Sequence, residues 1–314
     1  MQHVSLTKPR EQDKFVDIAI VIPALNEEES IGAVLDEIKS SMAGGSFQIL
    51  VVDGHSIDRT REIASEKGAE VIYQRTRGYG DALRSGFLHV YRKSSATCIV
   101  IMDADFTYDP ADIPSLVTPI LQGSADMVIG NRLEHLQPGA MTLTNRIGNK
   151  LITRLARATL GLRLHDTQCG LRAFRTSLVD YMNLEVEGMP FATEMIVDVH
   201  AARGTILETP VSYRPRAGKT KLSPVRDGFS ILGTVIRLVR DTRPLLFFLS
   251  ASAVLGVLGL LFGGIVLQEW FQTGSVHKIP TMALSLLLLF GSMQMLTVGL
   301  IADMLRHKRI REHL

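Results

Sequence analysis

Two stretches of this chain, residues 244–267 and 279–302, contain no charged side chain, and a short polar turn of residues 268–278 separates them. Each run reaches the roughly 20 residues that a helix needs to cross the hydrocarbon core of a bilayer. Everything water-soluble is thereby confined to the part before them, which in a chain of 314 residues has room for one sizeable domain. Basic residues crowd both flanks. Arg214, Arg216, Lys219, Lys221, Arg226, Arg237, Arg240 and Arg243 precede the first run, against Asp227 and Asp241, while Arg306, Lys308, Arg309 and Arg311 follow the second. The turn between the runs holds one lysine, Lys278. The excess of cations on one side predicts a two-span protein of the cell membrane with both termini, and the domain before the spans, in the cytoplasm. Phe229, Leu232, Val235, Ile236 and Val239 recur at helical spacing, so residues 227–243 read as a basic amphipathic helix lying in the bilayer interface. The expected division is a polar tail (1–16), a folded domain (17–226), the interface helix (227–243), the two-helix anchor (244–303) and a basic tail (304–314).

Other features exclude whole classes. A net charge of +2 with no basic stripe interleaved with aromatics argues against nucleic acid as a partner. Cys98 and Cys169 lie far apart and form no C-x-x-C pair, which fits a reduced compartment. Residues 1–14 are polar and hold no apolar core segment, so no secretory signal is expected. Neither a P-loop lysine pattern nor G-x-G-x-x-G is present, which weighs against nucleotide hydrolysis and dinucleotide binding.

Within the folded domain, short apolar runs alternate with amphipathic ones. Strands are expected at residues 17–23, 49–53, 70–73, 99–105, 126–130, 171–174 and 206–213, the last at an edge because it contains Pro210. Helices are expected at 28–41, 58–67, 80–91, 144–160 and 191–203. That alternation predicts an α/β, Rossmann-like, mostly parallel sheet, whose ligands sit beyond the carboxyl ends of the strands. Glu27, Asp53, Asp103 and Asn131 fall at such ends. Asp103 and Asp105 close the apolar run Ile99-Val100-Ile101-Met102, and in extended chain they would point the same way. Two adjacent carboxylates repel, and a hard divalent cation, Mg²⁺ or Mn²⁺, relieves that repulsion while leaving positions for water and phosphates.

Val21-Ile22-Pro23-Ala24-Leu25-Asn26-Glu27, Val51-Val52-Asp53-Gly54-His55-Ser56 and Met102-Asp103-Ala104-Asp105 together resemble the inverting family 2 glycosyltransferases with an A-type fold. Gly78-Tyr79-Gly80-Asp81-Ala82-Leu83, Asp166-Thr167-Gln168-Cys169-Gly170-Leu171-Arg172 and Arg216-Ala217-Gly218-Lys219-Thr220-Lys221 narrow this to the polyprenyl-phosphate sugar synthases, the group of dolichyl-phosphate mannose and glucose synthases. The resemblance implies that Pro23, Ala24, Asn26, Glu27, Asp53, Gly80, Asp103, Ala104 and Arg132 bind the nucleotide sugar. It implies that Asp103 and Asp105 bind the metal. Arg132, Arg146, Arg216 and Lys221 would contact the acceptor phosphate, and Asp166, Asp105 and Arg216 would carry catalysis. Where members of the group often have Gln, this chain has Thr107, a shorter and weaker ligand. Cys169 stands where Ser is common.

The implied reaction is one in-line displacement at the anomeric carbon, with inversion, moving a hexose from a UDP- or GDP-sugar to a polyprenyl or dolichyl phosphate. A lipid phosphate is already anionic near neutral pH, so it needs less help from a general base than a sugar hydroxyl does. Two readings compete: transfer to a hydroxyl of a lipid-linked saccharide or polysaccharide, and binding of a sugar nucleotide without catalysis. Homo-oligomerisation through the spans is a further expectation.

Overall fold

The computed structural model describes residues 17–76, 78–182, 191–215 and 244–312, together with Ile236 and Arg240. Contacts divide the chain into two compact units, Met1–Ile231 and Leu232–Leu314.

The first unit is built on a seven-stranded sheet in the order β3-β2-β1-β4-β6-β5-β7. Its strands are β1 (Ile18–Ala24), β2 (Phe47–Asp53), β3 (Glu70–Tyr73), β4 (Cys98–Ile101), β5 (Met127–Leu136), β6 (Arg172–Arg175) and β7 (Ile206–Tyr213). The helices are α1 (Ile31–Ser41), α2 (Thr60–Glu66), α3 (Tyr79–Lys93), α4 (Ile113–Leu121), α5 (Leu143–Leu160) and α6 (Phe191–Ala201). Consecutive residues Ala19 to Ile22 of β1 are all fully buried, as a strand covered on both faces requires. Strands β1, β2, β3 and β4 are parallel. Because the chain runs from β1 out to β3 and returns to place β4 on the other side of β1, the strand order reverses at β1/β4. That reversal opens a crevice at their carboxyl ends.

The mostly parallel α/β architecture matches the expectation from the sequence, and two local differences bear on the site. Strand β6 runs antiparallel to both β4 and β5. Strand β4 stops at Ile101, two residues before Asp103. The amide of Met102 still bonds to the carbonyl of Val21 (3.2 Å), and the chain then turns, with Phe106 in left-handed backbone (φ 67°). Asp103 and Asp105 therefore sit on a turn after the strand, a correction to the extended geometry expected there.

The second unit, among its described residues, is the helix pair α7 (Pro244–Thr273) and α8 (Ile279–Glu312). At about 1.5 Å per residue, both exceed the length needed to span a bilayer. Their mean hydropathy reaches 2.5 and 2.0, and they are long and apolar enough to cross a membrane. Small residues bring the pair together. A Cβ on Gly259 would lie 2.8 Å from Leu289, and Ser252 and Ser292 each donate a hydroxyl hydrogen bond (2.8 Å) to the other's carbonyl. Of the expected interface helix and the basic residues that precede the spans, only Arg214, Ile236 and Arg240 are described, with Arg214 paired to Glu37 and Asp109; Arg216, Lys219 and Lys221 lie outside the described residues.

Candidate active site

The loops after β1 and β2 are stapled to each other. Asn26 adopts left-handed backbone (φ 52°), which asparagine tolerates better than most residues. Its amide donates to Ser56 Oγ (2.9 Å), and its side-chain oxygen accepts from the amide of Ile57 (2.9 Å). The Glu27 amide donates to Thr60 Oγ1 (2.9 Å), and the Gly54 amide to the carbonyl of Ala24 (2.8 Å). Asp53 is fully buried and takes the amide of Ser56 on its carboxylate (3.1 Å), so here it organises the loop. Pro23 and Glu27 are half-buried beside it. His55 stacks on Tyr73 with ring centroids 5.9 Å apart, and the Arg61 guanidinium covers the Tyr73 ring at 5.6 Å. This flat wall next to Asp53 was not foreseen from the sequence.

Across the crevice stands the carboxylate pair. Asp103 and Asp105 are half-buried, with Ala104 buried between them. Tyr79, opening α3 beside the buried Gly80, donates its hydroxyl to Asp103 Oδ1 (3.1 Å). Burial, and then the charge of Asp103, pushes the Tyr79 phenol well above its ordinary range, so it stays a protonated donor. On the other side of Asp103 lies Gly170, where a Cβ would fall 2.7 Å from Oδ2. Only glycine leaves that carboxylate its place. Thr107, considered from the sequence as a weak metal ligand, instead gives its hydroxyl proton to Asp105 Oδ1 (2.6 Å) and is buried. The donor set is all oxygen, and the described residues contain no group of three or more His, Cys, Asp or Glu that could hold an ion. Two oxygen-donor carboxylates without a closed cage suit a hard cation that keeps water and substrate phosphates in its remaining positions. Asp103 and Asp105 fit Mg²⁺ or Mn²⁺ in that sense.

The third component is Asp166, which is 0% exposed. Arg132 closes a fork on it, Nε to Oδ2 at 2.7 Å and Nη2 to Oδ1 at 2.9 Å, and Asn149 Nδ2 reaches Oδ1 at 2.7 Å. Burial alone would raise the Asp166 carboxyl, but the hydrogen bonds and charge of Arg132, with Asn149, outweigh it and hold the group below the ordinary value of 3.8. So held, Asp166 is a fixed anion and a poor base. The loop around it is shaped by the buried Arg172, which donates to the carbonyls of Cys169 (2.6 Å), Thr167 (2.9 Å) and Ala192. Glu208 of β7 accepts the amides of His165 and Asp166. Tyr213 lies under the Arg132 guanidinium at 5.2 Å and packs edge-on against Tyr108, whose hydroxyl accepts the amide of Gly170 (2.7 Å). A continuous set of contacts thus runs from Asp103 through Gly170, Tyr108, Tyr213 and Arg132 to Asp166.

Of the residues singled out in the sequence, the fold brings Asp103, Asp105, Gly80, Arg132 and Asp166 into this set. Arg132, expected on a phosphate, gives two of its guanidinium nitrogens, Nε and Nη2, to Asp166. Arg146 is exposed on α5, outside this set of contacts, and Arg216 and Lys221 lie outside the described residues. Tyr79, Tyr108, Asn149, Gly170 and Tyr213 carry the geometry and were missed. For two of them a signal existed, Tyr79 between two glycines and Gly170 closing the Asp166 motif.

Comparison with known proteins bears on the family and the fold. Residues 19–182 match the glycosyl transferase family 2 domain. The glycosyltransferase AglJ of Haloferax volcanii is 34% identical over 305 residues, which cover 94% of this chain and 97% of that protein. A dolichyl-phosphate hexose transferase of the same organism is 36% identical over 231 residues, covering 73% of this chain and 96% of the relative. Among solved structures, glucosyl-3-phosphoglycerate synthase of Mycobacterium tuberculosis, crystallised with Mn²⁺, UDP and glucosyl-3-phosphoglycerate, superposes with a TM-score of 0.58. It does so at 22% identity, over 75% of this chain and 86% of that one, a likeness of fold. The doubly supported conclusion, from the domain match and from relatives aligned over nearly their whole length, is that this chain is a glycosyltransferase of family 2, with the A-type fold.

Proposed function

We propose that this enzyme moves a hexose from a UDP- or GDP-sugar to a polyprenyl phosphate, with inversion, at the cytoplasmic face of the membrane that its two C-terminal helices span. The observation that carries the reading is the coexistence, in one family 2 glycosyltransferase, of an Asp103–Asp105 donor-type site and two helices of membrane length. An acceptor drawn from the bilayer explains why the catalytic unit is tied to it. The relative named a dolichyl-phosphate hexose transferase, aligned over 96% of its length, supports a lipid phosphate as that acceptor.

The chemistry of the residues agrees. Asp103 and Asp105 would hold Mg²⁺ or Mn²⁺, which when bound supplies positive charge for a departing nucleoside diphosphate. Tyr79 and Gly170 fix the position of Asp103, and Thr107 that of Asp105. Pro23, Ala24, Asn26, Glu27, Asp53 and Gly80 would bound the nucleoside, with the Tyr73–His55 wall beside them. Asp166, held as an anion, orients Arg132 so that Nη1 points charge at a phosphate oxygen. Its low proton affinity suits a nucleophile that has no proton to lose. Arg216 and Lys221 would grip the acceptor phosphate, and a planar fork at Arg216 would do so bidentately.

The test is incubation of membranes containing the protein with labelled UDP- and GDP-sugars and polyprenyl phosphates. One donor should give a lipid-soluble product that releases its sugar in mild acid, and that product should vanish with a chelator. Absence of lipid-soluble label from every donor, or activity unchanged in chelator, contradicts the reading.

A further inference from the structure

Strand β7 ends against the turn that carries Asp105, and Arg214 closes the junction. Its backbone amide donates to the carbonyl of Thr107 (2.8 Å), next to the bridge between Tyr213 and Tyr108. Its side chain spans two elements: Nη1 reaches Glu37 Oε2 of α1 (3.1 Å), and Nη2 pairs with Asp109 Oδ2. The guanidinium also lies over the Phe106 ring at 5.2 Å. Asp109 in turn accepts the amide of Ala111 on its other oxygen (3.0 Å). Phe106 needs this support. At φ 67° it occupies left-handed backbone, which a bulky side chain adopts only where its surroundings hold it there. It stands between Asp105 and Thr107, whose hydroxyl and amide both donate to Asp105 Oδ1 (2.6 and 3.2 Å). The direction of the Asp105 carboxylate is therefore set by a turn that its own sequence disfavours. In the sequence Arg214 counts among the cations flanking the first span, yet the fold engages both its outer nitrogens with carboxylates of the catalytic unit.

We propose that Arg214 is a positioning residue for the metal site: it clamps the strained turn at Phe106 so that Asp105 faces a divalent cation beside Asp103. Arginine suits this task on three counts. Its planar face covers an aromatic ring, its fork reaches two carboxylates at once, and its charge balances Glu37 and Asp109 where they approach each other. A lysine ammonium offers the charge without the plane or the fork. The inference rests on the reading of Asp103 and Asp105 as metal ligands, and adds to it a residue more than a hundred positions further along the chain. Arg214 touches neither the cation nor the substrate. It acts through Phe106, Thr107 and Asp109, and so determines how well a ligand is aimed.

The experiment uses the full chain in detergent, with Mn²⁺ affinity read by titration calorimetry and the turn read by hydrogen exchange of the amides from 105 to 111. Arg214→Gln should weaken Mn²⁺ binding about 10-fold, the scale on which supports of a ligand act, and should speed exchange across the turn. Arg214→Lys keeps the charge and one ion pair, and with them the fold, but loses the planar fork; its loss should be intermediate. Arg175→Gln removes an ion pair with Asp126 elsewhere in the same unit and should change neither readout. Phe106→Gly separates positioning from plain stability. Glycine accepts left-handed backbone freely and has no ring to cover, so in that background Arg214→Gln should cost far less Mn²⁺ affinity. Unchanged Mn²⁺ affinity in Arg214→Gln overturns the proposal. So does an equal loss in Arg175→Gln, or an undiminished loss in the Phe106→Gly background. An unaltered chain that takes up no Mn²⁺ removes the metal assignment, and the exchange comparison still decides whether Arg214 holds the turn.

Discussion

At the scale of single residues, Asp103 and Asp166 illustrate two uses of a carboxylate. Asp103 is half-buried and wedged between Tyr79 and Gly170, whereas Asp166 is sealed and saturated with donors. Gly170→Ala should therefore leave the fold standing and displace Asp103. We expect Mn²⁺ affinity, read by titration calorimetry, to fall by about 10–100-fold, the usual effect of disturbing a ligand's outer support. Asp166→Asn acts on stability. It leaves the Arg132 guanidinium buried without its counter-charge, a change that typically costs about 3–5 kcal/mol and is measurable as a lowered melting temperature of the full chain. Because folding depresses the Asp166 carboxyl, its contribution is complete above the unfolded value near 3.8 and disappears as pH falls through the lower folded value. Asp166→Asn should accordingly flatten the acid limb of the stability curve. Both aspartates stood out in the sequence, one at the end of an apolar run and one within a recognisable motif. Which side chains pair with them did not. Asn149 and Arg132 lie 17 and 34 residues from Asp166, and Tyr79 lies 24 from Asp103, separations that leave no local periodicity to read.

Among the elements, burial pattern decided what could be read. Strands β1, β2 and β5 and helices α1 and α3 announce themselves, since a continuous apolar run or a stripe every third or fourth residue has few alternative meanings. The antiparallel β6 has only four residues, and its pairing with β4 depends on a partner more than seventy residues earlier. Likewise the apolarity of Met102 conceals the end of β4, which is set by the backbone turn at Phe106 and not by side-chain type. The packing of α3 on β1 and β2 supplies a test at this scale. A Cβ on Gly86 would lie 2.5 Å from Val21 Cγ1 and 3.0 Å from Val52 Cγ2. Gly86→Ala should destabilise the catalytic unit by about 1–3 kcal/mol through overpacking, seen as earlier urea unfolding with no change in metal affinity once folded.

For the molecule as a whole, the two helices long and apolar enough to cross a membrane were the most legible part, because a charge-free run of that length needs no partner to be recognised. The asymmetry of basic residues predicts an orientation. The turn between α7 and α8 should face outward, so Ser275→Cys should react in intact cells with a membrane-impermeant maleimide, and a cysteine introduced at Gln2 should react only after lysis. The reverse pattern would place the catalytic unit on the other side. The proposed acceptor is a lipid phosphate, for which a fixed Asp166 anion and a basic approach are apt and a general base unnecessary. The measurement that tests it most directly is transfer by the purified full chain, at a saturating concentration of its sugar nucleotide, to three acceptors compared side by side. These are a polyprenyl phosphate, the same polyprenol without phosphate, and a lipid-linked saccharide. Turnover is expected with the polyprenyl phosphate alone, giving a phosphate-linked sugar of inverted anomeric configuration. Sugar appearing on a hydroxyl of the lipid-linked saccharide, with the polyprenyl phosphate left unmodified, would contradict it.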